Sequence, residues 1–254
     1  MLEVQDVTKR YGAHTAVNHV SFTVKPGEVL GYLGPNGSGK STTVKMITGL
    51  MPPTLGRILF QGSDISEDLV GYKAQVGYVP EEAHVYTYLT GPEYLRLCGR
   101  LRGIPEAALE KKINEFLRIF GLDADYHAPL SAFSKGMRQK ILLSAALLHN
   151  PQIVVLDEPV SGLDVSTAVV LRTVVESLAK DGRIIFYSSH ELDTVERIST
   201  RVIILSQGKI VADDSASRLR ELTQEASLEG VFSQLAVKDD LGRVAAAVID
   251  AMTS

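Results

Sequence analysis

Residues 34–41 read GPNGSGKS and match the pattern G-x-x-x-x-G-K-[ST], whose chemistry is the binding of a polyphosphate. Because glycine has no side chain, several backbone N–H groups can point toward the same anion. We expect Lys40 to reach the β- and γ-phosphates and Ser41 to bind Mg²⁺. The residues assigned to phosphate binding are Gly34, Pro35, Asn36, Gly37, Ser38, Gly39, Lys40, Ser41 and Thr42.

Two carboxylates follow an apolar run at residues 153–158, IVVLDE. A buried strand that ends in acids delivers them to the edge where open α/β sheets bind ligands. We expect Asp157 to bind Mg²⁺ through water and Glu158 to orient or deprotonate an attacking water. His190 ends a second apolar run, RIIFYSSH, where a neutral imidazole can hydrogen-bond a γ-phosphate. An acidic pair or a histidine alone is usually structural, so these roles depend on the phosphate loop.

Two further segments carry residues suited to a nucleotide. Tyr11, in the stretch KRYG, can stack on an adenine ring, although a typical tyrosine is simply half-buried. The segment FSKGMRQK at residues 133–140 begins a predicted helix with Ser134 as its N-cap. The Ser134 hydroxyl and the N–H groups near Gly136 form an anion site at that helix start. The segment itself leaves open whether an anion binds there.

The apolar pattern indicates an α/β chain. LEVQDV and VSFTV near the N-terminus predict antiparallel strands, and VLGYL predicts a strand that leads into the phosphate loop and the helix STTVKMITGL. RILF and VGYV predict short strands separated by a polar loop. Residues 84–150 predict helices, with a capping box at Thr90 and Glu93. After residue 150, strands alternate with helices, including one at 165–180, which favours a mainly parallel sheet.

Composition excludes several classes of protein. The 254 residues carry a formal charge of −4 without a basic stripe, so we expect no nucleic-acid partner. Cys98 is the only cysteine, which excludes an internal disulfide and a cysteine-clustered zinc site. No uncharged apolar segment approaches the ~20 residues that a membrane span needs, and the first residues do not resemble a signal peptide. We therefore expect a cytoplasmic chain with no membrane span of its own.

Taken together, these motifs resemble the ATPase subunit of ATP-binding cassette (ABC) transporters over residues 2–235. In that family the segment Leu-Ser-Gly-Gly-Gln clasps the γ-phosphate of ATP bound to a second, facing subunit. Ser134 and Gly136 retain its serine and one of its glycines, and the Ser-Lys-Gly-Met form looks like the branch with ABC-2 exporter permeases. By this resemblance the anion at residue 134 comes on another chain.

The resemblance assigns roles to four more segments. SGLD at residues 161–164 resembles the D-loop, which places Asp164 at the dimer seam and near its nucleotide. His190 matches the switch histidine. Glu81 stands where the family has a metal-binding glutamine, and its carboxylate binds a hard cation more readily but adds negative charge beside the phosphates. SLEGVF at residues 227–232 resembles the tail of ABC-2 exporter ATPases, on a helical stripe expected to pack on the core.

The resemblance implies a P-loop NTPase core with a mainly parallel sheet, an N-terminal antiparallel β subdomain and an inserted α-helical subdomain. It predicts an ATPase domain at residues 1–236, with the helical subdomain at 84–150, and a helical tail at 237–254. The implied activity is hydrolysis of ATP with Mg²⁺ by a homodimer, or a paired ATPase subunit, that drives export. The implied partner is an integral membrane permease that docks near residues 85–95 and holds the chain at the inner face of the cell membrane.

Other readings remain open to different degrees. An ABC importer ATPase carries the same motifs. A soluble ABC ATPase acting on chromosomes or ribosomes would show a long heptad insertion or two cassettes, and this sequence shows neither. A GTPase would carry an Asn-Lys-x-Asp signature, which is absent, and neither a GTPase nor a small-molecule kinase accounts for FSKGM followed by VSGLD.

Overall fold

The computed structural model describes residues 1–82, 85–160, 163, 165–236 and 252. In that part of the chain the strands are β1 (Leu2–Tyr11), β2 (His14–Val24), β3 (Val29–Leu33), β4 (Leu55–Phe60), β5 (Ser63–Asp64), β6 (Val76–Val79), β7 (Ile153–Asp157), β8 (Ile184–Ser188), β9 (Arg201–Ser206) and β10 (Lys209–Asp214). The helices are α1 (Lys40–Ile47), α2 (Leu69–Ala74), α3 (Gly91–Leu101), α4 (Glu106–Ile119), α5 (Lys135–Leu147), α6 (Val165–Lys180), α7 (Leu192–Ile198), α8 (Ala216–Thr223) and α9 (Leu228–Ala236).

The described strands form two sheets. One sheet is antiparallel, with the order β2-β1-β4-β5. The other has the order β10-β9-β3-β8-β7-β6 and is parallel except for the pairing of β10 with β9. The predicted α/β core with a mainly parallel sheet and an antiparallel N-terminal sheet is confirmed.

The strands β3, β7 and β8 are buried along their whole length. Apolar runs without alternation suit this position, since helices cover both faces of a parallel sheet. The register pairs Tyr32 with Ser188 and Asp157 with Ser188, so the three strands end side by side. The segments that follow these strands therefore meet at one edge of the sheet.

Helices α3, α4 and α5 form the predicted helical part of the chain. Thr90 and Glu93 make the predicted capping box at the start of α3, and Ser134 caps α5 by accepting a hydrogen bond from Met137 N at 3.2 Å. Arg96 Nη2 donates to Glu110 Oε2 at 3.0 Å and joins α3 to α4. Helix α4 buries the apolar residues Leu109, Ile113 and Leu117 on one face.

The structure differs from the sequence prediction in residues 61–75. The predicted polar loop contains β5 and the short helix α2. Asp68 caps α2 by accepting from Gly71 N at 2.9 Å, and the buried Tyr72 hydroxyl donates to Ile47 O at 2.6 Å. A six-residue helix is too short to produce a recognisable apolar period, which explains the error.

No helix in the described residues combines the length and the apolar character needed to cross a bilayer. The predicted tail at 237–254 lies almost entirely outside the described residues.

Candidate nucleotide-binding site

The phosphate loop joins β3 to α1 and curves tightly because its glycines allow it. Gly37 and Gly39 have φ values of 77° and 108°, in the region that other residues rarely adopt. A Cβ atom at Gly39 would collide with the carbonyl oxygen of Ala16, and one at Gly34 would lie 2.5 Å from Leu205 O. The neighbouring chain thus leaves no room for side chains at these positions, and the loop backbone forms a concave surface.

Lys40 is the first residue of α1, at the end of this loop, and is 8% exposed. Its Nζ donates to Gly34 O at 2.6 Å and to Pro35 O at 3.3 Å. Burial lowers the pKa of Lys40, while the negative charges of Glu158 and Asp157 nearby oppose that shift. The buried ammonium group has only neutral carbonyl acceptors as hydrogen-bond partners, so it is suited to bind an anion.

The Ser38 side chain packs beside Gly34 and the carbonyl oxygen of Leu205. Its hydroxyl oxygen is buried, and in the described part of the chain it has no hydrogen-bond partner. The groups that the loop offers to a phosphate are instead its backbone N–H groups and the Lys40 ammonium group. The loop therefore fits the phosphates of the nucleotide that its sequence predicts.

Asp157 ends β7, Glu158 follows it, and both residues are buried. Burial, with the negative charges of Glu81 and Glu158, raises the pKa of Asp157 from 3.8 to about 6. A divalent cation would relieve this concentration of negative charge. Ser41, Glu81 and Asp157, the predicted metal ligands, border one cavity. Among the described residues, however, no three His, Cys, Asp or Glu form a metal centre by themselves, so Mg²⁺ would depend on phosphate and water oxygens as well.

Glu158 has an unusual backbone and a crowded carboxylate. Its φ is 48°, a left-handed conformation that is uncommon for residues other than glycine. His190 Nδ1 lies 2.7 Å from Glu158 Oε2, and Ser189 Oγ and His190 N both donate to the same oxygen at 3.2 Å. The predicted base and the predicted switch histidine are therefore in direct contact.

A cavity of about 620 Å³ joins these groups. Its lining contains the predicted Tyr11, Glu81, Asp157, Glu158 and His190, and every predicted loop residue from Gly34 to Thr42 apart from the buried Ser38. It also contains three residues that the sequence analysis did not assign, His14, Ala16 and Phe232. The periodicity of α9 identified Phe232 as a core residue, and no sequence signal pointed to His14 or Ala16.

Tyr11 borders the cavity from the end of β1 and is 45% exposed. Its hydroxyl donates to Met51 Sδ at 3.0 Å, and Lys9 Nζ lies 5.7 Å from the centre of its ring. An exposed ring held at its edge leaves a face available for a planar ligand.

Ser134 and Gly136 are not brought to this cavity. Ser134 is exposed at the start of α5, and neither residue is part of the cavity lining of its own chain. This position agrees with the resemblance, in which the segment serves a facing subunit. Asp164, predicted at the same seam, lies outside the described residues.

Comparisons with known proteins agree with this geometry. The profile of the family described as ABC transporter matches residues 17–161. The chain is 36% identical over 223 residues to the linearmycin resistance ATP-binding protein LnrL of Bacillus subtilis, covering 86% of this chain and 72% of that protein. It is 35% identical over 244 residues to the ABC-type transporter ATP-binding protein EcsA of the same organism, covering 95% and 98%.

A solved structure described as the ATP binding subunit of an ABC transporter superposes with a TM-score of 0.86. It is 34% identical to this chain and covers 92% of it, and the match covers 99% of that structure.

Proposed function

The chain belongs to the ABC transporter family of ATP-binding proteins and is an ATPase of that family, and we propose that it powers export as a dimer beneath a separate membrane permease. The main support for a dimer is that the predicted reacting groups lie at two separate places on the chain. The cavity collects the phosphate loop, Asp157, Glu158 and His190, whereas the anion site at Ser134 lies outside it. In this proposal a complete reaction centre consists of the cavity of one chain and the Ser134 site of its partner.

We assign the following roles within one chain. Lys40 exchanges its loop carbonyl partners for β- and γ-phosphate oxygens, and the loop N–H groups bind phosphate as well. Ser41, Glu81 and Asp157 hold Mg²⁺, which when bound neutralises phosphate charge. Glu158 accepts a proton from the attacking water, and His190 helps to position that water. Tyr11 stacks on the adenine.

The remaining roles belong to the dimer. Ser134 and Gly136 contact the γ-phosphate held by the facing chain, through the hydroxyl and the backbone N–H groups at the start of α5. Asp164 acts at the seam between the chains. We assign the ATPase domain to residues 1–236, with the helical subdomain at 84–150, and the tail to 237–254.

Export and the permease partner are supported by different observations. The relative LnrL is named for linearmycin resistance, and the Ser-Lys-Gly-Met segment is the form that resembles exporter ATPases. Tyr86 and Tyr88 are 54% and 75% exposed, with ring centres 6.0 Å apart, in the segment expected to receive the permease. Exposed neighbouring aromatic residues of this kind are typical of protein interfaces. Through that contact the chain would act at the inner face of the cell membrane.

A mixing experiment tests the shared reaction centre. Glu158→Gln disables the carboxylate of a chain, and Ser134→Asp disables what that chain lends to its partner. In a mixed dimer both defects fall on one site, and the other site is complete. Mixing the two inactive variants in equal amounts should therefore restore about a quarter of the wild-type rate, because half of the dimers are mixed and each has one working site.

The same experiment can reject the proposal. If every chain contained a complete site, the mixture would stay as inactive as either variant alone. Each variant must first bind ATP as a separate protein, which shows that it is folded. Wild-type turnover per chain should also rise with protein concentration, and a constant turnover in a strictly monomeric sample would contradict the dimer.

A further inference from the structure

We propose that Phe232 on α9 is a nucleotide-contacting residue, and that Glu196 on α7 positions it. The inference extends the proposed function, since it depends on ATP binding in the cavity described above. It makes helix α9, which lies outside the family match at residues 17–161, part of the nucleotide site.

The position of Phe232 is the first observation. Its side chain is half-buried and borders the same cavity as Tyr11 and Lys40. On the same helix Leu228 and Val231 are fully buried and pack in the core. Phe232 also packs against this core, but part of its ring is exposed and borders the cavity that the nucleotide would occupy.

The attachment of α9 is the second and independent observation. Glu196 Oε2 accepts a hydrogen bond from Leu228 N at 3.3 Å, at the first residue of α9. Its other oxygen, Oε1, lies 2.7 Å from Arg220 Nη1 on α8. One carboxylate of α7, 23% exposed, thus contacts both α8 and α9. Charge-assisted bonds of this kind fix orientation as well as position.

Helix α7 is itself connected to the reaction centre. It begins two residues after His190, and Glu191 N donates to Ser189 Oγ at 3.0 Å. The Ser189 hydroxyl in turn donates to Glu158. The start of α7 is therefore connected to Glu158 through Ser189. Through Glu196, α7 also holds α9, the helix that brings Phe232 to the cavity.

An aromatic ring beside a bound nucleotide stabilises the complex by contact area and by excluding water. Loss of the ring should weaken ATP binding about three- to tenfold, the effect expected for one aromatic contact. Glu196→Gln retains an acceptor oxygen but loses the ionic contact with Arg220, so it should weaken binding by a smaller factor.

The test measures the equilibrium affinity of the full chain for a fluorescent ATP analogue, with competition by ATP. Phe232→Ala should lose affinity as stated, and Phe232→Tyr, which keeps the ring, should bind close to wild type. Leu235→Ala is the matched control, because Leu235 is also half-buried on α9 and packs on the same core but is not part of the cavity lining. Melting temperatures of all variants separate affinity from folding.

Hydrogen exchange of the wild-type chain provides a readout that needs no variant. Saturating ATP should slow amide exchange in α9, and Phe232→Ala should reduce that protection. A purely structural Phe232 would leave exchange in α9 unaffected by the nucleotide.

The inference fails if Phe232→Ala and Leu235→Ala bind ATP equally well, or if ATP does not protect α9 in the wild type. Unchanged affinity with weaker dimerisation would also overturn it, since Phe232 would then contact a second copy. These results leave the proposed function intact. Failure of the wild-type chain to bind ATP at all would instead reject both.

Discussion

The imidazole of His190 contacts the carboxylate of Glu158, with 2.7 Å between Nδ1 and Oε2. The two residues are far apart in the chain, and they meet because β7 and β8 are parallel neighbours whose ends are level. Glu158 keeps this position with a left-handed φ of 48°, a conformation that costs free energy and needs support from its surroundings. This support comes from Ser189 and His190, which follow β8 and contact the Glu158 carboxylate.

We expect Glu158→Gln to bind ATP with nearly normal affinity and to lose about 10²–10⁴-fold in turnover, because the amide keeps the shape of the side chain but cannot accept a proton. Steady-state hydrolysis and nucleotide binding by the purified chain measure the two effects. Glu106→Gln is the control, since Glu106 also forms an ion pair, with Arg100, but outside the cavity. Near-normal turnover of Glu158→Gln would remove Glu158 from the role of base.

Ser189→Ala should lower kcat about tenfold and leave KM for ATP little changed. The fully buried hydroxyl donates to Glu158 at 3.2 Å, and a hydrogen bond to a charged group typically contributes more than one between neutral groups. Ser144→Ala, which removes an equally buried hydroxyl that donates to Lys140 O, is the matched control. If both variants lose the same stability and neither loses kcat, Ser189 is only structural.

Ser134→Asp should separate the role of Ser134 as the N-cap of α5 from its role in binding an anion. Aspartate is as good an N-cap as serine, so the free energy of unfolding should change by less than about 0.5 kcal/mol. The added carboxylate repels the γ-phosphate of the facing chain, so turnover should fall roughly 100-fold. Ser215→Asp makes the same exchange at the cap of α8, where Ser215 accepts from Arg218 N, and should keep full activity. Equal turnover in the two variants would contradict an anion site at Ser134.

The main site could be predicted from sequence because its signals are local. The phosphate loop, the run that ends at Asp157 and Glu158, and the N-cap at Ser134 each occupy a few consecutive residues. The role of His190 was assigned because it ends an apolar run, accompanies a phosphate loop and matches the switch histidine of the family that the sequence resembles. These parts of the prediction needed no long-range packing.

The parts that could not be predicted depend on contacts between distant segments. Strand β1 extends beyond LEVQDV to Tyr11 because bulges, with Asp6 and His19 at φ 52°, let its pairing with β2 continue. Phe232 reaches the cavity only because α9 packs on α7 and β9, which its own periodicity cannot indicate. Asp164 and the tail at 237–254 remain predictions.

His149, two residues after the end of α5, should make the folded chain sensitive to acid. Its Nε2 lies 3.1 Å from Val76 O, which can only accept, so the neutral ring donates from Nε2. Burial, with the positive charge of Arg102 nearby, lowers the pKa of His149 from 6.5 to about 4. Between these two pH values the unfolded chain binds a proton that the folded chain does not. The free energy of unfolding must therefore decrease as the pH falls from 6.5 toward 4.

His149→Gln tests this effect, because the amide can donate to Val76 O and does not titrate. Unfolding by denaturant at several pH values should give wild type a steeper loss of stability between pH 6.5 and 4, with a difference in slope of up to about one proton per chain. Lys112→Gln removes a positive charge that also lowers the pKa of His149, so this pKa should rise in the variant. The loss of stability should then begin at the same pH as in wild type and be complete at a higher pH. Parallel pH profiles for wild type and His149→Gln, or an NMR titration of the wild-type imidazole near its ordinary pKa, would show that the ring is not held neutral by the fold.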